Sequence, residues 1–278
     1  MEAHDYEGGP PLGGMEVVDH DGRTTAYRYV EEGGEGPAIL YVHGSGGTHR
    51  VWSAQYAPSG PSSPAAALDL SGHGESEDVS TDLGSATLAA YVDDVSAVAR
   101  AVDANAVVGN SLGGAVVLQS VLEDRVDPAA VVLAGSGAKL SVHGRLRTAL
   151  AKEFDSAIET LHAEDALFHD PPAKAIERSR ATMRSVGQSV TRRDFETCHR
   201  FDVRERLDEI GVPTLALCGQ YDRLTPPSYH EFLADELPNG TFETIEDAAH
   251  LAMIERSGPF NDAVETFLDA AFEGDDRR

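Results

Sequence analysis

The sequence predicts an α/β fold: a doubly wound, mostly parallel sheet of about eight strands that carries a helical cap insertion. Three observations lead there. Short apolar runs such as Ala38–Val42 alternate with helical patterns, as expected of strands covered on both faces. A block without a strong strand signal, 139–206, interrupts that alternation late in the chain. Glycine-rich loops follow several of the strand runs, at the sheet edge where α/β folds place ligands.

In chain order, 1–14 is acidic, rich in Gly and Pro and without an apolar h-region, so a loose tail is expected rather than a secretory signal. The stretch 15–30 reads as a hairpin turning at Asp19-His20-Asp21-Gly22. Gly33 to Pro37 breaks the chain before the strand at 38–42, which runs into His43-Gly44-Ser45-Gly46-Gly47. Ser and Pro fill 52–64, so any helix there is short. A strand at 65–70 ends in Asp69-Leu70-Ser71-Gly72-His73-Gly74-Glu75-Ser76. Leu88, Tyr91, Val92, Val95, Val98, Ala99 and Val102 line one face of a helix over 87–102. A further strand is expected at 129–133.

Within 139–206, Leu146, Leu150, Phe154, Ile158 and Leu161 mark one amphipathic helix. Asp170-Pro171-Pro172 breaks it, 173–186 forms a second, and Thr191 caps a third. The strand pattern resumes at 214–218. A helix at 227–237, a strand at 241–245 and a helix at 260–272 follow. The domain reading is therefore a tail of 1–14, a core of 15–138 and 207–278, and a cap of 139–206.

The net charge is −25, from 47 acidic and 22 basic residues, and only Lys139, Lys152 and Lys174 are lysines. Such a balance argues against nucleic-acid or anionic-membrane binding and suits a cytoplasm of high salt, hence a halophilic source. The chain has no apolar run long enough to span a membrane. Its two cysteines, Cys198 and Cys218, make no disulfide framework. A cytoplasmic protein, monomer or small homo-oligomer, with a small-molecule substrate as its partner is expected.

The chemistry centres on Gly109-Asn110-Ser111-Leu112-Gly113, between an apolar strand run and an apolar helix run. A serine on so sharp a turn is strained, and the residues two before and two after it approach closely, where glycine alone fits. The turn pushes the Ser111 hydroxyl out of the sheet and aims a helix N-terminus at it. The other serine after a strand, Ser136 in Gly135-Ser136-Gly137, lacks glycines at both key offsets and reads as a strand end lining the site.

A serine hydroxyl needs a base to take its proton and an acid to orient that base. Asp222 and His250 both fall just after strand runs, so a parallel sheet brings them to the same edge as Ser111. Glu246 and Asp247 are weaker candidates for the acid, being too close in sequence to His250 to orient it from the far side. His43, His49 and His73 show no metal-type spacing, and neither metal nor cofactor is expected.

With these pieces in place the chain resembles the α/β-hydrolase superfamily, in the compact branch of esterases, C–C bond hydrolases and cofactor-free haloperoxidases. The resemblance rests on the His43–Gly47 loop, the Asp69–Ser76 stretch, Gly109–Gly114, Val212-Pro213 through Asp222, and His250, in the order Ser, Asp, His. It implies an oxyanion hole from the backbone N–H groups of Ser45 and Leu112, supported by the loop and elbow glycines Gly44, Gly109 and Gly113. It also implies that 139–206 caps the site. A serine nucleophile separates the chain from the aspartate-using epoxide-hydrolase and dehalogenase branches. The expected function is hydrolysis of a small ester by a Ser-His-Asp triad through an acyl-enzyme. The alternatives are C–C bond hydrolysis or haloperoxidase chemistry on the same fold, and a non-catalytic ligand-binding protein. Residues 139–206 hold 13 basic and 11 acidic residues, against 9 and 36 elsewhere. Their arginines, Arg145, Arg147, Arg178, Arg180, Arg184, Arg192 and Arg193, either pair with nearby carboxylates on solvated faces or hold a substrate carboxylate.

Overall fold

The computed structural model describes residues 14–31, 38–57 and 60–275. The expected tail lies outside the described residues except for Gly14, and so does the expected chain break at 33–37. Eight strands form one sheet: β1 (Glu16–His20), β2 (Arg23–Val30), β3 (Ala38–Val42), β4 (Ala65–Leu68), β5 (Ala104–Asn110), β6 (Ala130–Ala134), β7 (Thr214–Gly219) and β8 (Gly240–Ile245). Their order is β1-β2-β4-β3-β5-β6-β7-β8. The β1-β2 hairpin pairs antiparallel and joins β4 antiparallel; the pairs from β4 through β8 are parallel.

The central strands β3 to β7 are apolar on both sides because both sides are covered, whereas the edge strands β1 and β8 carry exposed polar residues. Leu40 and Val42 of β3 point to one face with Val107, Val131 and Leu133. There they meet α1 (Ser85–Ala101), α2 (Leu112–Leu122) and α7 (Pro227–Glu236) through Tyr91, Val95, Val116 and Leu233. Ile39 and Tyr41 point the other way with Val108 and Val132, against Trp52 and the Phe260, Val264 and Leu268 face of α9 (Ser257–Asp275). Residue-by-residue alternation along the strand thus feeds two cores.

Between β6 and β7 lie α3 (Gly144–Lys152), α4 (Phe154–Leu161), α5 (Ala173–Val186) and α6 (Gln188–Arg200). The single helix expected over Leu146 to Leu161 is two. Glu153, at φ −142° and ψ 61°, leaves the helical region between them. Its N–H still closes α3 on the Ala149 carbonyl and its own carbonyl opens α4, so the apolar stripe carries across the break. Thr191 does not cap a helix. Gly187, at φ 87°, is the N-cap of α6, and Thr191 is buried one turn inside. A short helix that the periodicity did not reveal, α8 (Ala252–Glu255), follows directly on His250, and α9 starts at Ser257 rather than Phe260.

Parallel pairing sets the site. Val42 lies beside Gly109 and Asn110 beside Ala134, so the loops leaving β3, β5 and β6 emerge together. Gly219 pairs with Ile245, which brings the loops after β7 and β8 out on that edge too. No described helix is long and apolar enough to cross a membrane.

Candidate active site

Ser111 sits between β5 and α2 at φ 55° and ψ −116°, a backbone conformation that costs a non-glycine residue about 1–3 kcal/mol. The surroundings hold it there. Its N–H donates to the Ala134 carbonyl at 2.9 Å, and its own carbonyl accepts from Ser136 Oγ at 2.8 Å. Asn110 Nδ2 donates to the same Ala134 carbonyl at 3.1 Å. Ser136 therefore braces the turn from the end of β6. A Cβ on Gly109 would stand 2.5 Å from the Gly113 carbonyl oxygen, and one on Gly113 would stand 2.3 Å from that of Val42. The obstacles are backbone, so no larger residue fits at either glycine. On Gly44 a Cβ would meet Asn110 Oδ1 at 2.8 Å and Ser111 Cβ at 3.0 Å. The β3 loop thus runs against the turn.

His250 follows β8 and Asp222 follows β7. His250 Nδ1–H donates to Asp222 Oδ2 at 2.8 Å and lies 3.2 Å from Thr225 Oγ1. Thr225 Oγ1 donates to Asp222 Oδ2 at 2.8 Å, and the Leu224 and Thr225 N–H groups donate to Asp222 Oδ1 at 2.8 and 2.9 Å. Burial opposes ionisation of Asp222. The neighbouring His250 and these donors outweigh it and hold the carboxyl below its ordinary range. Asp247, one of the weaker candidates, is exposed and its N–H faces Gln220 Oε1; Glu246 is exposed as well. Thr225 was not legible as a site residue. Its one signal is the spacing Asp222-x-x-Thr225, which lets a carboxylate accept from the turn that follows it.

Ser45 begins the turn of the His43–Gly47 loop, where Gly47 N–H donates to the Gly44 carbonyl at 3.1 Å and Gly46 has φ +65°. Leu112 is the first residue of α2, so its N–H precedes the helix's own hydrogen bonds. His43 anchors the loop from beneath. Burial and the charge of nearby His73 push its pKa down to about 4. The neutral ring accepts from Leu70 N–H on Nε2 at 3.0 Å and donates from Nδ1 to the Gly44 carbonyl at 2.8 Å. His49 pairs with Asp69 at 3.0 Å.

The second anchor comes from α6. Asp194, with no solvent exposure, accepts from Gly46 N–H at 2.9 Å, from His73 Nε2 at 2.9 Å and from Tyr91 OH at 2.7 Å. His73 Nδ1 faces the Leu70 and Ser71 carbonyls at 3.2 and 3.3 Å, so acceptors stand at both ring nitrogens, an arrangement that favours the protonated ring. Burial opposes that charge, and Asp194 overcomes it and raises the pKa of His73. The sequence pattern of α6 shows Asp194 as one polar residue among many; its partners lie far away in the chain.

Ser111, His250, Ser45, Gly44 and Thr225 all line one cleft of about 990 Å³. Leu140, Leu146, Met183, Phe195 and Leu251 supply apolar wall, and α5 and α6 roof one side of it. Of the arginines in 139–206, Arg147 is held bidentately by Glu196, Arg180 by Glu159, Arg184 by Asp155 and Arg193 by Asp78; Arg178 lines the cleft. Cys198 also lines it, its thiol pushed up to about 12 by burial, with Sγ 3.6 Å from Ser45 Oγ.

A strained serine between a parallel strand and a helix, at the sheet edge where a buried His–Asp pair also emerges, marks an enzyme of the α/β-hydrolase class. The family model described as the alpha/beta hydrolase family matches residues 39–263, and the chain belongs to that family. It is 26% identical over 258 residues to a pimeloyl-(acyl-carrier protein) methyl ester esterase of Aliivibrio salmonicida, covering 88% of this chain and 97% of that protein. It is 24% identical over 254 residues to 3-oxoadipate enol-lactonase 1 of Acinetobacter baylyi, covering 88% and 92%. Among solved structures, a thermophilic esterase superposes with a TM-score of 0.82 at 30% identity, over 93% of this chain and 98% of that one.

Proposed function

We propose that the protein is a serine hydrolase that cleaves a small ester through an acyl-enzyme. The observation that carries this reading is the placement of Ser111, strained at the turn, in the same cleft as a His250 ring fixed by Asp222. Asp222 occupies Nδ1 and so presents Nε2 of His250 to the cleft as the basic nitrogen. In the first step Ser111 Oγ attacks the ester carbonyl carbon and its proton passes to His250. The carbonyl oxygen becomes an oxyanion facing the Ser45 N–H of the loop after β3 and the Leu112 N–H at the N-terminus of α2. The C–O bond to the alcohol breaks, and the alcohol leaves with the proton that His250 returns. Water then attacks the acyl carbon, gives its proton to His250, and Ser111 recovers it as the acid leaves.

The helices of 139–206 act as the cap, their apolar side chains shaping the space for the acyl or alcohol group. The names of the relatives, a methyl ester esterase and an enol-lactonase, support acyl–oxygen cleavage over attack on a C–C bond. Stopped-flow hydrolysis of p-nitrophenyl acetate tests the proposal. A burst of nitrophenolate equal to the enzyme concentration, lost in Ser111→Ala, is expected. Steady hydrolysis that Ser111→Ala leaves unchanged would overturn it.

A further inference from the structure

The charged side chains lining the cleft do not share the character of the chain. On a protein of net charge −25, they are Arg28, Arg50, Arg178, Arg223 and a single acid, Glu75, among the described residues. Arg223 has its own carboxylate, Asp165. Arg28 stands apart. Its Nε and Nη2 are shielded from solvent and meet no hydrogen-bond acceptor among the described residues. The guanidinium lies 5.7 Å from the centroid of the Tyr56 ring, itself a lining residue.

The contrast with Arg23, on the same strand, is instructive. There Asp94 Oδ1 accepts at 2.9 Å, and Ser71 Oγ and the Ala90 carbonyl accept as well. One arginine of β2 is satisfied by the fold; the other, a lining residue of the cleft, is left without an acceptor at two of its nitrogens among the described residues. An unpaired guanidinium N–H shielded from water is costly and rare in folded proteins, unless a ligand supplies the acceptor. Arg50 adds a second positive charge beside Tyr56, where both arginines act on the phenol against the upward push of burial.

Resting on the ester-hydrolase reading above, we infer that the cleft selects a substrate carrying a carboxylate and that Arg28 is the residue that holds it. The Nε–Nη2 edge of a guanidinium matches the two oxygens of a carboxylate. Rotation about the terminal side-chain torsions turns that edge to the ligand. A neutral ester leaves those N–H groups unpaired and gains nothing there. Of the arginines in 139–206, Arg147, Arg180, Arg184 and Arg193 already hold carboxylates; Arg178, which also lines the cleft, is the competitor that the test separates from Arg28.

The test compares monomethyl esters of linear dicarboxylic acids, four to eight carbons long, with the corresponding dimethyl esters. For wild type, kcat/KM for the monoester should exceed that for the diester at one or more chain lengths, mainly through KM. In Arg28→Gln that ratio should fall about ten-fold or more, the scale of a lost charge-assisted hydrogen bond, and Arg28→Lys should retain part of it. Arg178→Gln should leave the ratio as it is. Should Arg28→Gln not fold, wild-type inhibition carries the test. A dicarboxylate of the preferred length should then compete at least ten-fold better than the monocarboxylate of equal length, less so as KCl is added. A wild-type preference for diesters, a ratio indifferent to Arg28, or loss of the ratio in Arg178→Gln instead would overturn the inference. Absence of activity on every ester, p-nitrophenyl acetate included, would instead refute the hydrolase reading. Calorimetric titration with the dicarboxylate would then still decide on Arg28.

Discussion

Asp194→Asn perturbs the point where the helices of 139–206 meet the loop carrying Ser45. The carboxylate has no solvent exposure and accepts three hydrogen bonds, from Gly46 N–H, His73 and Tyr91. An asparagine has one acceptor oxygen. Placed toward Gly46 and His73, it keeps two of the three bonds in neutral form and removes the counter-charge of the His73 imidazolium. Removing one partner of a buried pair costs about 3–5 kcal/mol. His73 limits this by releasing its proton, so about 3 kcal/mol is expected at pH 6, a fall in Tm of about 6–12 °C for a protein of this size.

The pH dependence follows from the two shifts. Asp194 is lowered despite its burial, by His73, Tyr91 and Gly46 N–H, so its contribution is present above the ordinary carboxylate range and lost as pH falls through its depressed pKa. His73 is raised, so its contribution is present below its ordinary range and lost as pH rises through its elevated pKa. The gap in Tm between wild type and Asp194→Asn should therefore be widest near pH 5–6 and narrow in alkali. Activity reports the loop. Loss of one oxyanion donor costs about 10²–10³ in kcat, and loosening its support should cost about ten-fold, with KM for a neutral ester little changed. Differential scanning calorimetry from pH 5 to 9, with steady-state kinetics, reads both. A Tm within 1 °C of wild type at pH 6, or a gap that widens in alkali, would refute the reasoning.

Three further outcomes are expected. Asp222→Asn should lower kcat by about 10⁴-fold and Asp247→Asn by less than about two-fold, because only Asp222 meets the His250 ring; equal losses in p-nitrophenyl ester hydrolysis would place the acid elsewhere. Gly113→Ala forces a Cβ against the Val42 and His43 carbonyls, so Tm should fall by several degrees and kcat by about 100-fold as Ser111 is displaced; an unchanged melting curve would contradict the close approach. Stability should rise with KCl, since a net charge of −25 repels itself and the screening length drops to about 3 Å at molar salt; a Tm flat from low to molar KCl would count against a halophilic origin.

The legible parts of the sequence were those where one residue type meets one physical demand locally. Val107 and Val108 announce a buried strand, and Gly109 and Gly113 announce a turn too tight for side chains. The Leu88 to Val98 spacing announces the covered face of α1. The break at Glu153 was hidden because the apolar stripe continues across it, and periodicity reports the stripe, not the backbone that carries it. The start of α6 was misplaced because Thr191 is a good capping residue in isolation, whereas Gly187 takes the cap through a positive φ. Thr225 and Asp194 were missed for a different reason. Asp194 takes its role from partners as far as 148 positions away, such as Gly46, and no local pattern encodes such pairing. Thr225 donates to Asp222 only three positions back, but that spacing is common in turns and gains meaning only once His250, 25 positions on, is placed beside it. The open state of Arg28 was equally invisible, since only the packed structure shows which arginines find an acceptor.

The central claim is that Ser111 is the nucleophile. Labelling with a fluorophosphonate, followed by peptide mass spectrometry and residual activity on p-nitrophenyl acetate, tests it most directly. One adduct per chain on the peptide containing Ser111, with activity falling in proportion and no adduct in Ser111→Ala, is the expected result. Activity that survives stoichiometric labelling of Ser111, or inactivation by an adduct on another residue, would contradict it.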